Sequence, residues 1–313
     1  MTVTDLLEKT RRSNPDLIKI ATIFHRSGEI PADTYVIDLD ILRTNAEKLF
    51  REAAKFHMKM YFCTKQIGEN PLACRAIVNS GIRDGMATTV DAANSLHRHG
   101  FRVGHMGHMG QIPTSEITYV LREIRPEVIT IYSVEKARQI AMVASQLGIV
   151  QDLLLKMVCN PRLEVEHLSR GTASGFTQEE ALHAARRIRE MQSVRIAGVT
   201  TYPAFAFSLI TRKHHASRNF ETMVEVVRRM EKELGIKIEQ VNAAGENSVG
   251  TMELAARNGA THVEPGHAFT GTLPVNALVE DSPELPGIVY LTEVSHSFCG
   301  YPLAYGDGYM TND

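Results

Sequence analysis

The chain is short of several features that would each point to a function class. Its four cysteines, Cys63, Cys74, Cys159 and Cys299, form no CxxC pair and lie far apart. That spacing argues against a zinc site or a disulfide frame and predicts reduced core thiols. No apolar run approaches the roughly 18 residues a membrane helix needs, and the first residues, MTVTDLLEKTRRSNPD, lack the apolar centre of a signal peptide. A cytoplasmic protein is therefore expected. An excess of one charge is missing too: 34 basic against 36 acidic side chains leave a formal net charge of −2. Such a balance supplies no field that would draw the protein to nucleic acid or to an anionic membrane. What is present is a chain of 313 residues, 43% hydrophobic and 22% charged, ample for a large core.

From about residue 59 one pattern repeats: a short β-branched or apolar run, polar punctuation, then a segment of helical periodicity. The candidate strands are Met60 to Thr64, Met86 to Val90, Val103 to Met106, Val128 to Tyr132, Leu153 to Val158, Ile196 to Thr200, Glu239 to Ala243 and Thr261 to Val263. Helical stretches alternate with them, such as Pro71 to Val78, Val134 to Leu147, Thr177 to Met191 and Phe220 to Leu234. Alternation of this kind forces parallel strands joined by right-handed crossovers. Eight units fit a (β/α)8 TIM barrel better than an open doubly wound sheet.

Three regions are expected: a helical extension over residues 1–34, a barrel over 35–272, and the start of a carboxy-terminal β domain over 273–313. Within the last, Ile288 to Phe298 alternates like a strand, and the few residues beyond it predict a truncated β domain.

Barrel enzymes place their chemistry at the carboxyl ends of the strands. The first strand here ends in Thr64, Lys65 and Gln66. A lysine facing a barrel interior is costly as a cation, and that cost favours an amine acting as nucleophile toward a carbonyl, as in a Schiff base. Snorkelling to the barrel mouth is the plainer alternative. Two glycine-bearing turns, Gly245 to Gly250 and Gly266 to Gly271, follow the last two strands, where barrels commonly cradle a phosphate on backbone N–H groups. Ser248 could add a hydroxyl or simply cap the helix after it. A Schiff-base lysine together with a phosphate cradle specifies pyridoxal 5'-phosphate better than either does alone. His105 and His108 stand three apart, but no third ligand lies at metal-like spacing, so they read as polar residues of the barrel mouth and no metal is expected. His97, His99, His214 and His215 read as solvated.

The ordered stretches YVIDLDILRTNAEKL, FCTKQIGENP, GENS, VEPGHAFTG and GYPLAYG resemble the alanine-racemase-fold (fold type III) family of pyridoxal phosphate enzymes, most closely its YhfX-like branch, from residue 35 onward. The resemblance implies that Lys65 carries the cofactor as an internal aldimine. It implies that Ser248 and the backbone of Gly266 and His267 hold the phosphate. Glu264 falls where the family contacts the pyridine nitrogen. True alanine racemases have an arginine there, whereas the EPG motif is similar to that of basic amino acid decarboxylases of the same fold. Where the family often packs a histidine on the ring, this chain has Thr201 and then Tyr202, and the sequence leaves open which of them serves. The phenol-contacting arginine of alanine racemases is replaced by Ala173, with Arg170 nearby. Tyr305 matches the second catalytic base, donated across a homodimer interface; a tyrosine so used needs a cationic or hydrogen-bonding neighbour.

The reading these features give is a pyridoxal-phosphate-dependent amino acid racemase or epimerase acting on a small-molecule amino acid. Its alternatives are a decarboxylase, aldolase or dehydratase of the same fold, and a non-catalytic cofactor-binding protein of cofactor homeostasis.

Overall fold

The computed structural model of the chain describes residues 3–159 and 174–306. Fourteen strands lie among the described residues: β1 (Thr34–Ile37), β2 (Lys59–Cys63), β3 (Asp84–Ala87), β4 (Arg102–Met106), β5 (Val128–Ile131), β6 (Gln151–Met157), β7 (Val194–Thr201), β8 (Phe205–Ser208), β9 (Lys213–Ala216), β10 (Gln240–Ala243), β11 (His262–Val263), β12 (Ile288–Leu291), β13 (Val294–Phe298) and β14 (Tyr301–Ala304). Strands β2 to β7, β10 and β11 pair in parallel and close into the expected barrel, with β11 returning to β2 through His262 opposite Lys59. Helices on the outside bury their apolar stripes; Arg218–Leu234, for example, buries Phe220, Met223, Val226 and Met230.

Period-2 alternation divides the strand side chains between two cores. Met60 and Phe62 of β2 join the large cluster between the sheet and its helices, whereas Tyr61 and Cys63 join a small one with Met86, Val128, Leu154 and Ala197. Glycine makes room for these contacts. A Cβ on Gly104 would lie 2.4 Å from the Tyr61 ring, and one on Gly198 would lie 1.9 Å from the backbone oxygen of Gln240.

Several details differ from the sequence reading. Strand β3 starts at Asp84 and stops at Ala87, because Thr89 leaves the sheet to cap helix Val90–Arg98, its hydroxyl accepting from Ala92 N–H at 3.1 Å. Ile288 to Phe298 is two strands with different partners: β12 pairs with β1, outside the barrel, and β13 pairs with β14. The hairpin β8–β9, which strand patterning did not reveal, lies between β7 and helix Arg218–Leu234. Of the cysteines, Cys63 and Cys74 are buried as expected, but Cys299 is exposed in the turn between β13 and β14.

The amino-terminal extension is two helices, Val3–Ser13 and Pro15–Arg26, fastened to the carboxy-terminal segment. Lys9, only 5% exposed, donates to the carbonyls of Val279 and Glu280. Asn14 caps the second helix and donates to Asp38 and to the Pro286 carbonyl, each at 3.1 Å.

Gly198→Ala is expected to force β7 from β10 and cost at least about 2 kcal/mol. Thermal melting should show a clear drop for it and no comparable drop for Gly110→Ala, where the nearest atom to the new Cβ, the Thr88 carbonyl oxygen, is 3.9 Å away. Equal melting of the two variants would contradict the close approach.

Candidate active site

The carboxyl ends of the barrel strands surround one cavity lined by Lys65, His108, Tyr202, Asn247, Glu264 and His267, with Gly245 and Gly266 in its wall. The end of β2 is tied to the loop after β11 by Cys63 N–H, which donates to the Pro265 carbonyl at 2.9 Å. Lys65 and the EPG turn are thereby held side by side. Lys65 is exposed at the cavity mouth, not enclosed in the interior as the desolvation argument required. The chain projects it beyond Cys63, past the last lumen position of its strand.

Glu264 is the centre of the electrostatics. It is 4% exposed, and its Oε1 accepts from Asn242 Nδ2 at 2.7 Å and pairs with His105 Nδ1. The other nitrogen of His105, Nε2, lies 2.5 Å from Thr130 Oγ1. Glu264 N–H donates to Asn247 Oδ1 at 2.9 Å, and Asn247 in turn donates to the Ala243 carbonyl at 3.0 Å. Burial alone would raise the Glu264 carboxyl, but the charge and hydrogen bond of His105, helped by His108 and Asn242, hold it down to about 2. Its Oε2 has no partner and lies 4.0 Å from His108 Nδ1.

His105 and His108 are thus buried inside the barrel, not polar residues of its mouth. The expectation that no third ligand joins them also fails: Glu264, 159 residues along the chain from His105, places the three ligand atoms within 4.8 Å of one another. Both ring nitrogens of His105 are already engaged, so the group as arranged is a hydrogen-bonded cluster. His214 is not solvated either. Its ring is buried in β9, with Nε2 3.3 Å from Glu246 Oε2.

The remaining sequence candidates divide. Tyr202 lines the cavity, and burial, with Glu246 and Cys63 adding to it, pushes its phenol up. Thr201 does not reach the cavity: it is fully buried and its hydroxyl donates to the Met157 carbonyl at 2.8 Å across the β6–β7 pair. Ser248 is buried with its Oγ unpartnered, while its N–H donates to Thr251 Oγ1 at 2.8 Å. A Cβ on Gly266 would meet Gln66 Oε1 at 2.4 Å and Cys63 Cβ at 3.2 Å, so a side chain there would have to displace Gln66. His267, at the end of that turn, has Nδ1 3.0 Å from Thr272 Oγ1. Tyr305 follows β14, exposed, with its N–H donating to the Glu293 carbonyl at 2.9 Å, and it does not line this cavity. Arg170 and Ala173 lie outside the described residues.

Sequence reading missed His105, Thr130, Asn242 and Asn247 as site residues. A signal existed for three of them. Thr130 is the one polar residue of β5, His105 the one buried polar residue of β4, and Asn242 one of two buried polar residues of β10, and inward-facing polar side chains of this kind meet inside a closed barrel.

Comparison with known proteins agrees with this architecture. The alanine racemase N-terminal domain family matches residues 37–274. The uncharacterized protein YhfX of Escherichia coli (strain K12) is 32% identical over 303 residues, covering 97% of this chain and 76% of the relative. Among solved structures, D-threonine aldolase from Filomicrobium marinum superposes with a TM-score of 0.63 at 12% identity, over 85% of this chain and 69% of that one. A diaminopimelate decarboxylase from M. jannaschi gives 0.64 at 15% identity, over 80% and 64%. The alanine racemase of Clostridium difficile 630 in complex with cycloserine gives 0.61 at 16% identity, over 83% and 67%. At these identities the superpositions establish the fold alone. The matched span, the relative's identity and the closed eight-stranded barrel together establish that this chain belongs to the alanine racemase N-terminal domain family.

Proposed function

We propose that the protein is a pyridoxal-5'-phosphate-dependent enzyme acting at the α-carbon of an amino acid, as a racemase or epimerase. The observation that carries this reading is a set of buried polar atoms without partners lining one cavity beside Lys65, namely Glu264 Oε2, His108 Nε2 and Gln66 Oε1, with the unpartnered Oγ of Ser248 one residue beyond the lining Asn247. Each such atom costs about 1–3 kcal/mol unless a ligand meets it. Their chemistry suits the cofactor: an amine for its aldehyde, a carboxylate for its ring nitrogen, and a hydroxyl with the open backbone of Gly266 and His267 for its phosphate. When bound, the cofactor supplies an electron sink for the carbanion at the α-carbon.

In this reading Lys65 Nζ would hold the cofactor at its aldehyde carbon, and the same amine would take or return the α-proton on one face. Tyr305 of the partner subunit serves the opposite face through its hydroxyl, which makes the working form a homodimer. The exposure of Tyr305 and its absence from this chain's own cavity support a role across an interface. Glu264 stays ionised through its bonds to His105 and Asn242 and so keeps a proton on the ring nitrogen. Tyr202 is the ring-packing candidate in place of Thr201.

A second reading has a specific observation behind it. A carboxylate at position 264 makes the ring a deep electron sink, which also suits decarboxylation or a retro-aldol step. The likeness in fold to a decarboxylase and an aldolase as well as to racemases keeps those reactions in view.

Three outcomes test these assignments. Protein loaded with pyridoxal phosphate should show a visible band that borohydride bleaches and that Lys65→Ala removes; a band that persists in the variant would defeat the anchoring role. Incubation with single-enantiomer amino acids in deuterated water should give α-deuterium with loss of optical activity, and Tyr305→Phe should slow this by about 10²-fold or more. Carbon dioxide or aldehyde release in place of exchange would select the second reading. His105→Leu should destabilise the fold by about 3 kcal/mol at neutral pH by leaving the Glu264 carboxylate buried without its imidazole partner. In the parent, the folded Glu264 lies at about 2, below its ordinary 4.5, so its contribution is present above 4.5 and is lost as pH falls toward 2. The gap in melting temperature between parent and variant should therefore narrow as pH falls below 5. A gap independent of pH would contradict the pairing.

A further inference from the structure

His108 is unused by the chemistry above, although it lines the same cavity as Lys65 and Glu264. Its side chain is 2% exposed, Nδ1 lies 3.2 Å from Thr200 Oγ1, and Nε2 is buried without a partner. The ring is braced edge-on by His105 at 5.4 Å and by Tyr202 at 6.3 Å between centroids, so its orientation is fixed. Burial drives its pKa down to about 3, against the pull of Glu264 and with His105, Lys156 and Lys65 adding to the fall. His108 is therefore neutral at physiological pH and has one N–H to place. The tautomer in which the Thr200 hydroxyl donates to Nδ1 places that hydrogen on Nε2. A buried N–H without an acceptor is costly, so the cavity must supply an acceptor oxygen at Nε2 when it is filled, and an anionic oxygen makes the stronger bond.

We propose that His108, held by Thr200, is a cofactor-contacting residue that donates from Nε2 to the phenolate oxygen of bound pyridoxal phosphate. This rests on the cofactor reading above. The phenolate is the cofactor's anionic oxygen nearest in the ring to the nitrogen assigned to Glu264, two ring atoms away, and His108 Nδ1 lies 4.0 Å from Glu264 Oε2. A hydrogen bond here fixes the ring from the side opposite the phosphate and holds the phenol ionised, which sets the colour and the affinity of the bound cofactor without any contribution from the substrate.

The test compares pyridoxal phosphate with its 3-O-methyl ether, which lacks the phenolate, by equilibrium dialysis and absorption in the absence of amino acid. The parent should prefer pyridoxal phosphate by about tenfold, a typical value for one buried hydrogen bond to a charged group. His108→Phe should erase that preference, and His108→Gln, which keeps an N–H donor, should restore part of it. If His108→Phe does not fold, Thr200→Val reads the same coupling and should reduce the preference severalfold. A preference unchanged in His108→Phe or in Thr200→Val overturns the contact. A parent that binds neither compound overturns the cofactor reading as well, whereas a parent that binds both equally, with a band still dependent on Lys65, overturns the His108 contact alone.

Discussion

A buried carboxylate, Glu264, sits inside the barrel, and much of the surrounding structure is arranged so that it can remain charged there. Taking an isolated carboxylate out of water is prohibitive, and proteins tolerate one only when it is paired and hydrogen-bonded. Here the imidazole of His105 and the amide of Asn242 converge on the same oxygen, Oε1. The backbone of Glu264 is held by Asn247, and His105 is held in turn by Thr130. Strands β4, β5, β10 and β11 each contribute at least one residue, or the residue immediately following, to this cluster. It can form only if the barrel closes in register.

That constraint has a functional corollary. Pairing both donors to Oε1 leaves Oε2 directed at neither, close to His108 and beside the mouth where Lys65 stands. The two oxygens differ: one anchors the side chain, and the other is left without a hydrogen-bond partner. Around it the sequence departs from uniform packing in the same direction, with glycine at 266 where a side chain would strike Gln66, and a buried serine hydroxyl at 248 without a partner. Stability is given up at these points in a manner expected of a site that binds something polar.

Much of this was legible in the sequence because it depends on local pattern. Alternating strand and helix signals, with Val134–Leu147 recovered to the residue, were enough to specify a parallel barrel, and the barrel rule then directed scrutiny to Lys65, Glu264 and the two glycine turns. What escaped depends on contacts between distant strands. His105 meets Glu264 across 159 residues, and nothing in the spacing of His105 and His108 reveals the carboxylate that joins them. Thr201 and Tyr202 show the same limit: adjacent residues leave a strand in opposite directions, and only the pairing of β6 with β7, which takes the Thr201 hydroxyl to Met157, shows which of the two is left facing the cavity. The exposure of Lys65 depended on where β2 stops, a boundary set by the link from Cys63 to Pro265.

The central claim is that this cavity holds pyridoxal phosphate on Lys65. The most direct measurement is to load the protein with the cofactor, reduce it with borohydride, digest it and locate the added mass by peptide sequencing. The barrel offers a competing amine in Lys156, which is 1% exposed with its Nζ 5.2 Å from the centre of the Tyr132 ring. The account predicts the label on Lys65 alone. Label on Lys156, or none on any lysine, would contradict it.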